Sequence, residues 1–124
     1  MNMGKKILVV DDEPHLAEMM ANRLRASHYD VVTALTGHEA LDRVEGEKPN
    51  LILLDILMPD MDGYQVLRRL KEKDETRRIP VIVLTVKKWS EDIKRAVEGG
   101  ASDYIVKPFD PRALLQKIEG VLKK

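Results

Sequence analysis

The sequence predicts an α/β fold: a doubly wound, five-stranded parallel sheet with five helices covering both faces. Five short apolar runs alternate with segments of helical periodicity along the 124 residues, and such strict alternation builds right-handed crossovers between parallel strands. The first, third and fourth runs are apolar almost throughout, as central strands covered on both faces must be. Four of the runs lead into a charged or hydroxyl residue, and in an open parallel α/β sheet ligands bind beyond the carboxyl ends of the strands.

The first strand, Lys6–Val10, runs into Asp11-Asp12-Glu13. After it, Leu16, Met20 and Leu24 fall on one stripe of the first helix, the spacing of an inward face. Asp30–Ala34 forms the second strand. Thr36-Gly37-His38-Glu39 then matches a capping box, in which a Thr hydroxyl and a Glu carboxylate reciprocally satisfy first-turn amides, so the second helix begins there. The third strand, 51–54, runs into Asp55, and Val66, Leu67 and Leu70 mark the inward face of the third helix. The fourth strand, 81–84, runs into Thr85. Ile93, Ala96 and Val97 mark the fourth helix, which Gly99-Gly100 closes with left-handed geometry. Asp103–Val106 is the fifth strand and leads into Lys107-Pro108. Asp110 as N-cap and Pro111 at the first helical position open the last helix, with Leu114, Leu115, Ile118 and Leu122 inward.

Length and composition predict one domain spanning residues 1–124, with enough chain to bury about two-thirds of its unfolded surface. A hydrophobic content of 44% with 34% charge suits a soluble globular protein. Lys plus Arg equal Asp plus Glu at 21 each, so the balance gives no support for binding nucleic acid or an acidic membrane. The basic pairs Arg68-Arg69, Arg77-Arg78, Lys87-Lys88 and Lys123-Lys124 read as solvated helix ends. With no cysteine there is no disulfide framework and no thiolate chemistry. The apolar run that leads into Asp11 is only four residues long, Ile7 to Val10, too short for a signal-peptide core or a membrane span. A cytoplasmic protein is expected. His15, His28 and His38 lack ligand spacing and read as surface residues, and Met19, Met20 and Met58 as core or loop fillers.

The strand ends bring together three carboxylates, a hydroxyl and an ammonium. Asp11 and Asp12 are adjacent, and the chain turns there toward a helix, so both approach one site. In a doubly wound sheet the first and third strands are neighbours at the switch point, which places Asp55 beside them. Three carboxylates repel unless a cation sits among them. A small hard ion that keeps its waters and takes one or two protein carboxylates fits best, and that describes Mg²⁺. The competing reading makes Asp11 or Asp12 an N-cap ahead of Glu13-Pro14. Likewise a competing reading makes Thr85 an ordinary strand-ending hydroxyl, and Lys107 a solvated strand-end lysine.

These segments also carry a resemblance over essentially the whole chain. Ile7-Leu-Val-Val-Asp11-Asp12-Glu13-Pro14, Leu53-Leu-Asp55-Ile-Leu-Met-Pro59-Asp-Met-Asp-Gly63, Pro80-Val-Ile-Val-Leu-Thr85 and Gly100-Ala-Ser-Asp-Tyr104-Ile-Val-Lys107-Pro108-Phe109 occur in order. Together they resemble the response-regulator receiver domain of two-component signalling, similar to the chemotaxis regulators. The resemblance implies a flavodoxin-like sheet of strand order 2-1-3-4-5. It implies that Asp55 is the phosphoacceptor of a phosphorelay, supplied by a histidine kinase or phosphotransfer protein. It implies that Asp11, Asp12, Asp55 and the backbone carbonyl of Leu57 hold Mg²⁺, for which Mn²⁺ substitutes, with Asp12 the more direct ligand. Thr85 and Lys107 would hold the phosphoryl oxygens, Thr85 and Tyr104 would form the switch, and the Lys107–Pro108 bond would be cis.

Such a protein phosphorylates and dephosphorylates itself without turning over an independent substrate, so it is not expected to be an enzyme. Its output surface would comprise the fourth helix, fifth strand and fifth helix (residues 90–99, 103–106 and 111–122). That surface carries Lys94, Arg95, Asp103 and Arg112, charges able to pair across a phosphorylation-dependent homodimer. The output is expected to act on a downstream protein or through an output domain of a longer chain, with no nucleic acid or membrane bound by this domain itself. Two other classes stay open: an aspartyl-phosphate hydrolase or phosphotransferase, and a degenerate receiver that only binds partners. A D-x-D motif on the first strand and a cap domain, expected of the hydrolase class, are missing. Loss of an acid, the hydroxyl or the lysine, expected of a degenerate receiver, is not seen.

Overall fold

The structure, a computed structural model, describes residues 4–56, 58, 60–86 and 91–123, the side chains of Glu91 and Asp92 excepted. Its elements alternate from end to end: β1 (Lys6–Val10), α1 (Pro14–Ala26), β2 (Asp30–Ala34), α2 (Gly37–Glu47), β3 (Leu51–Asp55), α3 (Gly63–Glu72), β4 (Val81–Thr85), α4 (Glu91–Glu98), β5 (Asp103–Val106) and α5 (Pro111–Leu122). All strand pairs are parallel, in the order β2-β1-β3-β4-β5. The third and fourth strands each run one residue further than their apolar runs, so Asp55 and Thr85 are the last ladder residues themselves.

Side chains of a strand alternate between faces, and that period divides the core in two. Ile7, Val9, Leu53, Ile82 and Leu84 point to one face and are covered by α1 and α5. Leu8, Val10, Ile52, Leu54, Val81 and Val83 point to the other, under residues of α2, α3 and α4. Every residue of β3 and β4 is buried, as strands covered on both faces require.

The helices depart from their predicted faces in detail. In α1 the buried residues are Ala17, Met20, Ala21 and Leu24, an i, i+3, i+4, i+7 stripe. Leu16 is 43% exposed and Met19 67% exposed, so neither is core. The two alanines, carrying little bulk, let the helix lie close on the sheet, and the larger Leu16 is turned away. In α4 Ala96 is buried, Ile93 half-buried and Val97 exposed. In α5 Leu114, Ile118 and Val121 are buried, with Leu115 and Leu122 packed partly against the core. The three histidines are exposed, as are Arg68, Arg69, Arg77, Arg78 and Lys123. Lys87, Lys88 and Lys124 lie outside the described residues, as does residue 90 of the expected output surface. Met20 and Met58 are buried.

Thr36 caps α2, its Oγ1 accepting from Glu39 N at 3.0 Å. The reciprocal bond differs from a capping box: Glu39 Oε1 accepts from Leu35 N, at 2.7 Å, one residue further back than the box requires. A complete capping box instead opens α3, between Asp62 and Gln65. Gly100 takes φ +100, and Gly100 N and Ala101 N donate to Val97 O and Ala96 O. This is the double bond pattern of a glycine-terminated helix. Asp110 caps α5, accepting from Arg112 N.

At the edge opposite the strand carboxyl ends, Lys6 Nζ bonds Glu47 Oε1 at 2.9 Å. That hydrogen bond, then the charge of Lys6, holds the Glu47 carboxyl below its ordinary range, and the same bond raises Lys6. The Glu47 contribution to stability is therefore present above the ordinary value of 4.5 and is lost as pH falls toward its lowered folded value. Lys6→Met is expected to flatten the acid limb of a stability-against-pH curve, measured by urea unfolding. An acid limb identical to wild type would show that this pair does not contribute.

Candidate phosphoryl and metal site

Asp11 follows β1 directly and extends its ladder, Asp11 N donating to Ala34 O at 3.1 Å. Its carboxylate is buried: Oδ1 accepts from Glu13 N at 3.0 Å and Oδ2 from Lys107 Nζ at 3.1 Å. Asp12 is exposed. Neither caps the helix. The N-cap of α1 is Glu13, whose carboxylate accepts from His15 N and Leu16 N, so the capping reading of the aspartates fails and their oxygens face the strand ends.

Asp55 closes β3, pairs in register with Leu84, and is buried. One oxygen from each of Asp11, Asp12 and Asp55 lies within 4.8 Å of the others. Lys107 stands just past β5, anchored by its own amide, which donates to Thr85 O at 2.7 Å. Its Nζ lies 3.5 Å from Asp55 Oδ2 as well as on Asp11, and the Lys107–Pro108 peptide is cis. Thr85 is buried at the end of β4, in register with Val106, with Leu84 beside Asp55. Tyr104, half-buried on β5, packs against the second core cluster, with Lys117 Nζ 5.6 Å from its ring centroid. Leu57 lies outside the described residues.

The arrangement suits a hard divalent cation. Its donors are carboxylate oxygens with no imidazole or thiolate, the set that selects Mg²⁺ or Mn²⁺ over softer metals. Among the described residues one ammonium faces three carboxylates, which leaves the cluster negative, and a divalent ion would offset that charge. Beside it runs a groove of about 780 Å³ between α1 and the β5–α5 connection, lined by Leu16, Met19, Met20, Val86, Phe109 and Leu114 as well as Asp11 and Lys107.

The sequence matches the response regulator receiver domain family over residues 7–119. The chain belongs to that family. It is 41% identical over 122 residues to the alkaline phosphatase synthesis transcriptional regulatory protein PhoP of Bacillus subtilis (strain 168), covering 98% of this chain and 50% of that protein. The chain spans about half the length of the curated relatives it matches. Among solved structures, the chemotaxis protein CheY4 of Vibrio cholerae superposes with a TM-score of 0.90 at 30% identity, covering 95% of this chain and 98% of that one. The receiver domain of sensor histidine kinase PA1611 from Pseudomonas aeruginosa PAO1 gives a TM-score of 0.90 at 29% identity, covering 98% and 99%; that structure has a magnesium ion coordinated in its active site cleft. The flavodoxin-like fold and strand order read from the sequence are those of these receivers. No helix among the described residues of this receiver domain is long and apolar enough to cross a membrane.

Two features of the receiver site escaped the sequence reading. The Asp62–Gln65 capping box was legible as D-x-x-Q before an apolar face. Asp60, by contrast, binds the first turn of α2, more than twenty residues away in sequence, and no local pattern announces such a partner.

Proposed function

We propose that Asp55 accepts a phosphoryl group from a phosphohistidine donor, and that the domain is a self-phosphorylating and self-dephosphorylating switch, not a turnover enzyme. The observation that carries this reading is the Asp11–Asp12–Asp55 cluster with Lys107 Nζ within 3.5 Å of two of its members. An Asp55 oxygen attacks phosphorus in line. The O–P bond forms as the donor's P–N bond breaks, and the imidazole leaves with that electron pair. Asp11, Asp12, Asp55 and the Leu57 carbonyl would hold Mg²⁺, or Mn²⁺, which would supply neutralisation of phosphoryl charge, the main demand of this chemistry. Lys107 shifts from the carboxylates to a phosphoryl oxygen, and the Thr85 hydroxyl takes another.

The acyl phosphate brings strong acceptor oxygens, and drawing Thr85 toward them opens space beside β5 for the half-buried Tyr104 ring. The surface that reports this is α4, β5 and α5, offered to a downstream protein or output domain. Similarity to transcriptional regulators supports a transcriptional output for the switch. Of the charges suited to a phosphorylation-dependent homodimer, Arg95 stacks over Tyr64 at 3.9 Å, Asp103 accepts from Lys117, and Arg112 pairs with Asp110. Dimer formation through them therefore exchanges existing contacts within the chain.

Acid-quenched labelling with acetyl phosphate tests the reading. One phosphoryl per chain, only with Mg²⁺ or Mn²⁺, is expected; steady turnover of added phosphomonoesters would identify a hydrolase, and no label a partner-binding module. Asp12→Ala is expected to weaken Mg²⁺ binding more than Asp11→Ala, read by calorimetric titration. Their stabilities should diverge: Asp12 is exposed, so its loss relieves repulsion, whereas Asp11→Ala leaves Glu13 N without its acceptor and leaves Lys107 with its longer contact to Asp55 at 3.5 Å. A buried donor left unsatisfied costs about 1–3 kcal/mol. Equal Mg²⁺ affinities in the two variants would refute the assignment of ligands.

The apolar groove beside the site is read as the seat of the phosphohistidine-bearing partner. Exposed Met19 and Leu16 stand on a patch contiguous with Asp11 and Lys107, and contiguous exposed apolar surface marks interaction sites. Met19→Lys is expected to slow phosphotransfer from the protein donor about tenfold, the effect of losing a buried apolar contact worth about 1.4 kcal/mol. Labelling by acetyl phosphate should be unchanged. Equal loss with both donors would move the docking surface elsewhere.

A further inference from the structure

We infer that Asp60 is a positioning residue for the phosphoryl site, its carboxylate clamping the loop that follows Asp55 onto the first turn of α2. The inference deepens the phosphoacceptor reading and rests on it.

The loop between β3 and α3 is tied at both ends. Ile56 N donates to Leu84 O at 3.2 Å, and Gly63 N donates back to Ile56 O at 2.8 Å. Between those ties Asp60 reaches a different element. Its Oδ1 accepts from Gly37 N at 3.0 Å, and its Oδ2 accepts from His38 N at 3.2 Å. The His38 ring adds a third contact, Nδ1 lying 2.7 Å from Oδ2. An ionised carboxylate only accepts, so the proton of that contact sits on Nδ1. The Gly37 amide and then the His38 ring hold the Asp60 carboxyl well below the usual carboxylate range, which keeps it ionised near neutral pH.

Packing makes the clamp tight. A Cβ on Gly37 would stand 2.8 Å from Met61 Cβ and 3.2 Å from Met61 O, so the first turn of α2 and the loop already touch. Met58 and Met61 are both buried in the second core cluster. Orphan amides at a helix start need an acceptor, and the positive end of the helix favours an anion there. Ordinary capping usually takes that acceptor from the preceding residue. Here Thr36 fills that role with the Glu39 amide, and the next donors are given to a residue of the phosphoryl-site loop. A clamp of this kind holds the segment that returns through Gly63 N onto Ile56 O, beside Asp55, as outer residues fix the ligands of a metal.

Thr36→Ala provides the discriminating control, because it removes a cap from the same helix without touching the loop. Calorimetric titration of Mg²⁺ into wild type, Asp60→Ala, Asp60→Asn and Thr36→Ala is the test. Asp60→Ala is expected to weaken Mg²⁺ affinity about tenfold, the low end for outer-shell changes. Asp60→Asn, which keeps one acceptor for Gly37 N, should fall between it and wild type and remain folded if Ala does not. Thr36→Ala should lower the unfolding midpoint yet leave affinity within twofold. Acyl phosphate formation in the Asp60 variants should be slow at low Mg²⁺ and recover at saturating Mg²⁺. In metal-free protein, amide exchange at Gly37 and Met61 should rise together in Asp60→Ala. Wild-type affinity in Asp60→Asn and Asp60→Ala, or an equal loss in Thr36→Ala, overturns the clamp. Wild type that neither binds Mg²⁺ nor labels Asp55 overturns the phosphoacceptor reading itself, before any variant is compared.

Discussion

Asp55→Asn is expected to abolish phosphoryl labelling while making the metal-free protein more stable. The substitution keeps the shape of the side chain and removes one of three carboxylates whose oxygens lie within 4.8 Å of one another. Unit charges about 5 Å apart interact by about 3 kcal/mol at an effective dielectric of about 20. Against these repulsions on Asp55, that of exposed Asp12 weakened by solvent, stands the attraction of Lys107 at 3.5 Å, about 5 kcal/mol at the same dielectric. The charge terms nearly balance, and the added cost of holding the carboxylate charged in a buried position tips neutralisation toward a gain. Mg²⁺ is expected to reverse the order. Wild type should gain stability with ligand concentration by mass action, and the variant, with a weaker donor set, should gain less. Urea unfolding with and without Mg²⁺, beside acid-quenched labelling, reads all three effects. Unchanged labelling in Asp55→Asn would sink the phosphoacceptor assignment, and a less stable metal-free variant would sink the account of repulsion.

The strands were legible because a parallel central strand must be apolar on both faces, and 51–54 and 81–84 satisfy that without competition. Their functional ends were legible for the complementary reason. An acid directly after Leu51-Ile-Leu-Leu54 is costly to bury without a partner, and the partner found is Lys107, 3.5 Å away. The α1 face was misread because hydrophobic size was weighed above spacing. Leu16, Met20 and Leu24 form a regular stripe, but Ala17 and Ala21 sit under it against the sheet. The large residues left outside, Leu16 and Met19, belong to the surface beside the site. Whether an apolar residue faces core or partner depends on which strand the helix crosses, and that is a tertiary fact. Asp60 was illegible for the same reason: its hydrogen-bond donors are at residues 37 and 38. Even the α2 cap shows the limit of motif reading. Thr36 and Glu39 are both used, yet Glu39 serves Leu35 N, because a flexible carboxylate settles on whichever amide the incoming strand presents.

Gly63→Ala is expected to be the most damaging single methyl that can be added to this domain's site. Gly63 begins α3 where it passes the end of β3. A Cβ there would stand 2.6 Å from Asp55 O and 2.8 Å from Ile56 Cα. Both are backbone atoms, so no rotamer change relieves the contact, and either α3 or the strand end must move. Overpacking of this kind costs about 1–3 kcal/mol and sometimes more; with backbone on both sides the upper end applies. A loss of about 3 kcal/mol corresponds to a fall of about 10 °C or more in Tm for a domain of this size. The displaced segment is the one that carries Asp55, so the initial rate of labelling by acetyl phosphate should fall with it, even at temperatures where the variant is fully folded. Two other glycines serve as internal controls. Gly46 and Gly120 lie within α2 and α5, are exposed, and have nothing within 4 Å of an added Cβ. Alanine there should stabilise by about 0.5–1 kcal/mol each, since it lowers the entropy of the unfolded chain and favours the helix. Thermal unfolding of the three variants decides the matter: a Gly63→Ala protein as stable as wild type and labelled at its rate would mean that the close approach of α3 does not hold Asp55 in place.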